Sequence, residues 1–189
     1  MLVRMSNTDD RVRVPPLAPD ERDQRQADLV KQAGAEFGVF TTLVRNTDVF
    51  ADFLTLGRRL LELSSLEPRA RELLIMRVAW RCRAPYEWSH HQVIGRAAGL
   101  TDADLAALAT DLVDASDRLR MVLLRAADEL VLDHRLGDAT WTGLTGMYTT
   151  EQVIEICMLV GQYIMLAGVL NSLGVQIEDE YPIPTWASR

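Results

Sequence analysis

Residues 65–101 read SLEPRARELLIMRVAWRCRAPYEWSHHQVIGRAAGLT, and this stretch decides the fold. Ser65-Leu66-Glu67-Pro68 is a helix start, because proline gives up no needed N–H in a first turn and its φ is already helical. A helix is predicted from Pro68 to about Arg81, through Glu72, Ile75, Met76 and Ala79. Ala84-Pro85 restarts the chain in a further helix that runs to Gly99, a residue that ends helices by turning left-handed. Thr101-Asp102-Ala103-Asp104 follows at once as a capping box and opens a short helix.

Working outward, the same period continues. Upstream, Thr47 or Asp48 caps a helix through about Leu63, whose apolar residues Val49, Phe50, Phe53, Leu56, Leu60 and Leu63 recur at threes and fours. Before it, Asp20 to about Ala35 reads as a helix with acids in its first turn, where they favour the dipole. Downstream, helices are expected at about Asp117–Asp133, near Ala139–Met147, and at Glu151–Leu173 with Gly174 closing the last. No alternating run demands a strand. The expectation is an all-α bundle of about seven helices formed by residues 20–189. Residues 1–19 precede it as an arm stiffened by Pro15, Pro16 and Pro19, ordered where it lies on the body. The tail from Glu178 to Arg189 reads as irregular.

Composition narrows the function. A chain of 189 residues, 48% hydrophobic and 25% charged, has the balance of a globular protein with a sizeable core. Its net charge of −7 argues against nucleic acid, since phosphate binding needs excess cations. The most apolar run, Ile156 to Leu170, contains Gln162 and is shorter than the roughly 20 residues a bilayer requires, so it reads as a core helix and no membrane partner is expected. The first residues turn polar at once, without a signal-peptide core. The two cysteines, Cys82 and Cys157, are far apart and form no C-x-x-C motif, and the expected location is the reducing cytoplasm.

Chemistry concentrates in Arg81 to His91. Two of the three histidines are here. Residues four apart share a helix face, which sets Glu87 beside His91 and Tyr86 beside His90. A carboxylate next to an imidazole orients the ring and holds its proton, which is the equipment of a general acid/base if the pair faces a cavity. On an exposed surface the same pair is merely solvated. Trp80 and Trp88 read as core or interface, His90 as exposed or interfacial, and Cys157 as a small hydrophobe; Tyr163 and Asn171 have positions that could face a pocket, but read as packing residues.

Glu72 with the following Leu-Leu-Ile-Met-Arg-Val-Ala, then Tyr86-Glu87-Trp88, His91 and Gly99-Leu100-Thr101, resembles the signature of the carboxymuconolactone decarboxylase and AhpD-like family, most strongly over about Leu66–Leu108. The resemblance implies an AhpD-like helical bundle, assembly into trimers or hexamers, and site residues His91, Glu87, Glu72 and Tyr86. In the redox branch of that family a Glu is followed by a C-x-x-C pair and a His. Glu72 and His91 match the Glu and the His, but Ala84 and Glu87 occupy the cysteine positions. Peroxidase chemistry needs a cycling dithiol, so it is not expected here. The decarboxylase branch implies cofactor-free proton transfer on a small carboxylated lactone or related acid. His91 would then donate the proton, Glu87 or Glu72 would tune it, and Arg77 or Arg83 would hold a substrate carboxylate.

Two other classes compete. Glu87-Trp88-Ser89-His90 matches the Glu-x-x-His of helical di-iron proteins, but such centres need two copies and two further glutamates. A single-metal site from Glu72, Glu87 and His91 is the remaining metal reading, and no metal is expected. A non-catalytic oligomeric binding protein on the same fold is the second; it predicts that Glu72, Glu87 and His91 point to separate surfaces.

Overall fold

The computed structural model describes residues 12–111 and 116–187. Nine α-helices form among them, with no strand: α1 (Gln24–Ala33), α2 (Gly38–Leu43), α3 (Thr47–Leu61), α4 (Pro68–Arg81), α5 (Pro85–Ala97), α6 (Asp102–Leu108), α7 (Arg118–Leu132), α8 (Asp138–Thr145) and α9 (Thr150–Leu173). The bundle is all-α as expected, with more elements than the roughly seven anticipated. The predicted helix Asp20–Ala35 is two pieces. Pro19–Glu21 makes a 3-10 turn, and α1 begins after Asp23, which exchanges capping-box bonds with Gln26. α2 is the element not foreseen.

The architecture is built around α4, which packs against α5, α7 and α9. Every side chain from Glu72 to Ala79 is fully buried. A helix buried all round must be apolar on every face, and Leu73-Leu74-Ile75-Met76 meets that condition. The polar exceptions in this segment, Glu72 and Arg77, each have charged partners, described below. The main core joins α4 to Leu123, Ala126 and Ala127 of α7 and to Ile156, Leu159 and Val160 of α9. A second cluster gathers Leu17, Leu29, Val30, Val44 and Phe50 from the arm, α1, the end of α2 and α3. The arm is fixed where it touches the body: the Arg13 and Val14 N–H groups donate to the Leu173 carbonyl, and that of Leu17 to the Thr41 carbonyl.

The α4–α5 connection positions the site. Cys82, Arg83 and Ala84 reverse the chain, with Arg83 at φ 51° in the left-handed region. α5 packs along α4, and a Cβ on Gly95 would come within 2.7 Å of Leu100 Cδ1, just past α5, and 3.5 Å of Met76 Sδ on α4. One turn before these two residues stand His91 on α5 and Glu72 on α4. Gly99 and Gly174 both take left-handed conformations past helix ends, with φ 93° and 68°, as their positions in sequence implied.

α9 is longer than the apolar run suggested. Its 24 residues, with a mean hydropathy of 2.0 in the most apolar window, are enough by length and composition to cross a membrane. One side is core: Val153, Ile156, Leu159, Val160, Tyr163, Ala167 and Leu170 are buried. The other exposes Ile154, Met158, Gly161, Met165 and Gly168 at spacings of four and three, a continuous apolar seam.

Candidate functional site

His91 is the centre of the site. Its Nδ1 lies 2.8 Å from Glu72 Oε2, and its Nε2 lies 3.0 Å from the Tyr163 hydroxyl. The Tyr163 ring meets the imidazole edge-on, with centroids 5.0 Å apart. α4, α5 and α9 each supply one member. The other Glu72 oxygen accepts from Arg71 Nε at 3.1 Å. Burial alone would push the Glu72 carboxyl up, but His91 and Arg71 more than reverse this and hold it below the ordinary carboxylate range. An ionised Glu72 can only accept, so Nδ1–H donates to it and Nε2 accepts from the Tyr163 hydroxyl. Burial, then the Glu72 charge, keeps Tyr163 a phenol by pushing its pKa far up.

Glu87 occupies a different electrostatic position. It is 2% exposed, and neither carboxylate oxygen has a hydrogen-bond partner. Burial raises its pKa well above the usual value, so the side chain is a neutral acid. The sequence set Glu87 beside His91 on one helix face and left either Glu87 or Glu72 to tune the imidazole. The structure gives that place to Glu72 and leaves Glu87 unpaired, because the α4–α5 approach aims His91 Nδ1 at α4 rather than back along its own helix.

Tyr86 and His90 belong to a second network, anchored by the C-terminal strap. Glu178 accepts from the Gly38 N–H at 2.7 Å and from the Tyr86 hydroxyl at 2.8 Å through Oε1, while His90 Nε2 is 2.7 Å from Oε2. The Tyr86 hydroxyl in turn accepts from the Val39 N–H. The His90 ring is stacked between Tyr86 and Tyr181, with Phe37 against it edge-on. His90 is thus buried, not exposed, and burial lowers its pKa despite the pull of Glu178. The strap is further tied by Ser89 Oγ and Gln92 Nε2, which both donate to the Pro182 carbonyl, and by Trp186 edge-on to Trp88.

Glu87, His91, Tyr163, Tyr86 and His90 all line one cavity of about 550 Å3. The remaining walls are mainly Phe37, Phe40, Phe53, Leu54, Ile94, Leu166 and Leu170, from α1–α3 on one side and α5 and α9 on the other. A space of this size falls in the range of small-molecule sites, about 300–1,000 Å3.

The two arginines expected to hold substrate do not line it. Arg77 is fully buried on the far side of α4, where Nε and Nη2 donate to Asp128 and Nη1 to the carbonyls of Leu108 and Thr110. Arg83 lies over the rings of Trp80 and Trp186. Trp80 and Trp88 are core residues as read. Cys82 and Cys157 are both free, and burial pushes the Cys82 thiol up to about 11. Among the described residues no three His, Cys, Asp or Glu side chains converge on a point where a metal ion would sit. Tyr163 is the site residue that sequence reasoning considered for the pocket and then assigned to packing. The available signal was its hydroxyl inside the otherwise greasy Ile156–Leu170 run, next to Gln162.

The helical arrangement and the buried Glu–His pair at its centre define an AhpD-like helical protein. Residues 47–129, the segment that carries Glu72, Glu87 and His91, match the model of the carboxymuconolactone decarboxylase family. In fold the chain is similar to the crystal structure of an AhpD-core, uncharacterized peroxidase-related protein from Ralstonia eutropha JMP134, with a TM-score of 0.69 and 23% identity over 86% of this chain and 87% of that one. It is equally similar to an uncharacterized peroxidase-related protein from Silicibacter sp. TM1040, with a TM-score of 0.69 and 17% identity over the same shares. At these identities the likeness shows the fold. No curated protein matches the chain. Tyr163, Glu178 and the walls given by α1 and α2 lie outside the family segment.

Proposed function

We propose that the protein is a cofactor-free enzyme that transfers a proton at a carbon conjugated to a carbonyl, decarboxylating a small carboxylated lactone or related acid. The observation that supports this reading is the chain Glu72–His91–Tyr163 opening onto an apolar cavity that also holds the neutral acid Glu87. In such a reaction the bond to the carboxylate carbon breaks, CO2 leaves, and the electron pair moves into the conjugated carbonyl. Charge passes from a localised carboxylate to a delocalised enolate. Apolar walls disfavour the first more than the second. A hydrogen bond from Glu87 or Tyr163 to the carbonyl oxygen stabilises the enolate as it forms. The carbon then takes up one proton, drawn from solvent and relayed by His91 through Nε2 and the Tyr163 hydroxyl. Glu72 is a positioning residue that sets the imidazole's orientation and tautomer.

The direct test is a screen of carboxylated lactones and β-keto acids for CO2 release by metal-free protein. Turnover that survives chelator supports the reading. No turnover of any such acid favours a binding protein.

A homo-oligomer is part of the same proposal. The seam Ile154–Met158–Met165 along α9 is an apolar face of the kind that marks subunit contacts, and closed symmetric assembly is the general expectation. Light scattering at micromolar concentration is expected to give more than a monomer, and Met158→Glu to shift it toward one.

A further inference from the structure

We infer that the substrate is a largely apolar carbonyl compound carrying at most the one carboxylate that leaves, with its carbonyl oxygen held by the unpaired Glu87 carboxyl and its hydrocarbon body against Phe37, Phe40, Phe53 and Leu166. This rests on the proposed decarboxylation and narrows its substrate.

Three observations carry it. First, the cavity offers no buried cation. Among the described residues its one permanent positive charge is Arg58, whose side chain is 67% exposed and donates to Glu62, itself a lining residue. Arg71, Arg77 and Arg81 are engaged with Glu72, Asp128 and Asp111. A second carboxylate on the ligand would be buried without a partner, which costs several kcal/mol or more. Second, the walls facing the polar end are aromatic and aliphatic from three separate helices, a surface that rewards apolar area and stacks on rings. Third, Glu87 is buried beside this space with both oxygens unmatched, although buried polar groups are nearly always hydrogen-bonded. As a neutral acid it offers one O–H donor and one acceptor. A carbonyl oxygen takes the donor, and an adjacent enol or hydroxyl, where the ligand has one, meets the acceptor. An ammonium or metal ligand would demand the ionised form in surroundings that oppose ionisation.

The test uses two lactones that share a ring carbonyl and one carboxylate and differ in one substituent: γ-carboxy-γ-phenyl-γ-butyrolactone (the phenyl lactone) and γ,γ-dicarboxy-γ-butyrolactone (the carboxylate lactone, with a second carboxylate). Calorimetry on the full chain is expected to show the phenyl lactone binding at least about ten-fold more tightly, the second carboxylate having no cation to meet. Glu87→Leu is expected to weaken the phenyl lactone about ten-fold, since a lost hydrogen bond to a carbonyl is worth roughly that much. Glu87→Gln, which keeps a donor and an acceptor, is expected to stay within about three-fold. Thermal melting of both variants verifies that they remain folded. The inference is overturned by equal or tighter binding of the carboxylate lactone, by no binding of either, or by indifference to Glu87→Leu. If the phenyl lactone binds through Glu87 and yet no acid releases CO2, the ligand class stands and the decarboxylase reading falls.

Discussion

α4 carries two buried charged residues on opposite faces, and they are treated in opposite ways. On the α7 side, Arg77 and Arg81 both bind Asp128 through Nε and Nη2, and Arg77 Nη1 takes the carbonyls of Leu108 and Thr110. Every charged group there has a partner, and Trp80 covers both guanidiniums. On the α5 side, Glu72 and His91 are paired, but Glu87, which lines the cavity, is left with two buried, unmatched oxygens. The first face is saturated and has nothing left to offer a ligand. The second retains hydrogen-bonding capacity at a place where water is scarce. A buried charge by itself is therefore no sign of function here; what separates the two faces is residual capacity next to open space.

The comparison predicts that damage to the two faces is read out differently. The largest effect belongs to the site: His91→Ala is expected to lower turnover by about 10²- to 10⁴-fold, the usual worth of general acid/base help, while the protein stays folded. Steady-state kinetics on the acid found by the CO2 screen checks it, and unchanged turnover removes histidine from the mechanism. Next comes the saturated face. Asp128→Ala strands Arg77 as an uncompensated buried charge and is expected to cost about 3–5 kcal/mol in urea unfolding, with kcat of the folded fraction unchanged. A loss below about 1 kcal/mol breaks the contrast.

Glu87→Leu is expected to move the other way, adding about 1–3 kcal/mol by removing an unsatisfied polar group while activity falls. Destabilisation instead means that Glu87 has a partner. A smaller effect is a slope with pH. Because burial raises the folded-state pKa of Glu87 above 4.5, its stability contribution is fully present below about 4.5 and is lost as pH rises toward the folded value. The stability of Glu87→Gln relative to the native protein should thus improve from pH 4.5 upward, by at most about 1.4 kcal/mol per unit. The smallest effect is none: hydroperoxide reduction with a dithiol is expected to be negligible and indifferent to Cys82→Ser, since a thiol pushed up to about 11 has almost no thiolate at neutral pH.

The saturated face was the harder one to read from sequence. Pro68, Pro85, Thr101 and Gly174 are local signals, and each marks a helix end where it was expected. α2 carries no such mark: its N-cap is Phe37, without a side-chain bond, and Thr41 and Thr42 are poor helix formers. Asp20 and Asp23 are both reasonable caps, and only the Gln26 bond decides for Asp23. Glu87 and His91 line one cavity, and Glu72, bonded to His91, is the one of the two carboxylates that holds the imidazole. The four-residue rule pairs Glu87 with His91 and cannot see that α5 packing along α4 brings Glu72, 19 positions away, into contact. Arg77 was read as a substrate ligand because its partner lies 51 positions later on α7, a distance over which no periodicity speaks.

The strap has a consequence for how the protein is made. Tyr86, His90 and the Gly38 backbone are held by Glu178, which follows His90 by 88 residues. Chains emerge at about 5–20 residues per second, so an interval on the order of ten seconds separates the synthesis of the His91 imidazole from that of the clasp behind its cavity wall. During that time the nascent protein has its Glu72–His91 pair in hand, but Tyr163 and the buttress at Glu178 are still to come. A premature stop shortly before residue 178 would then release a chain with its family segment whole and its binding chamber unfinished.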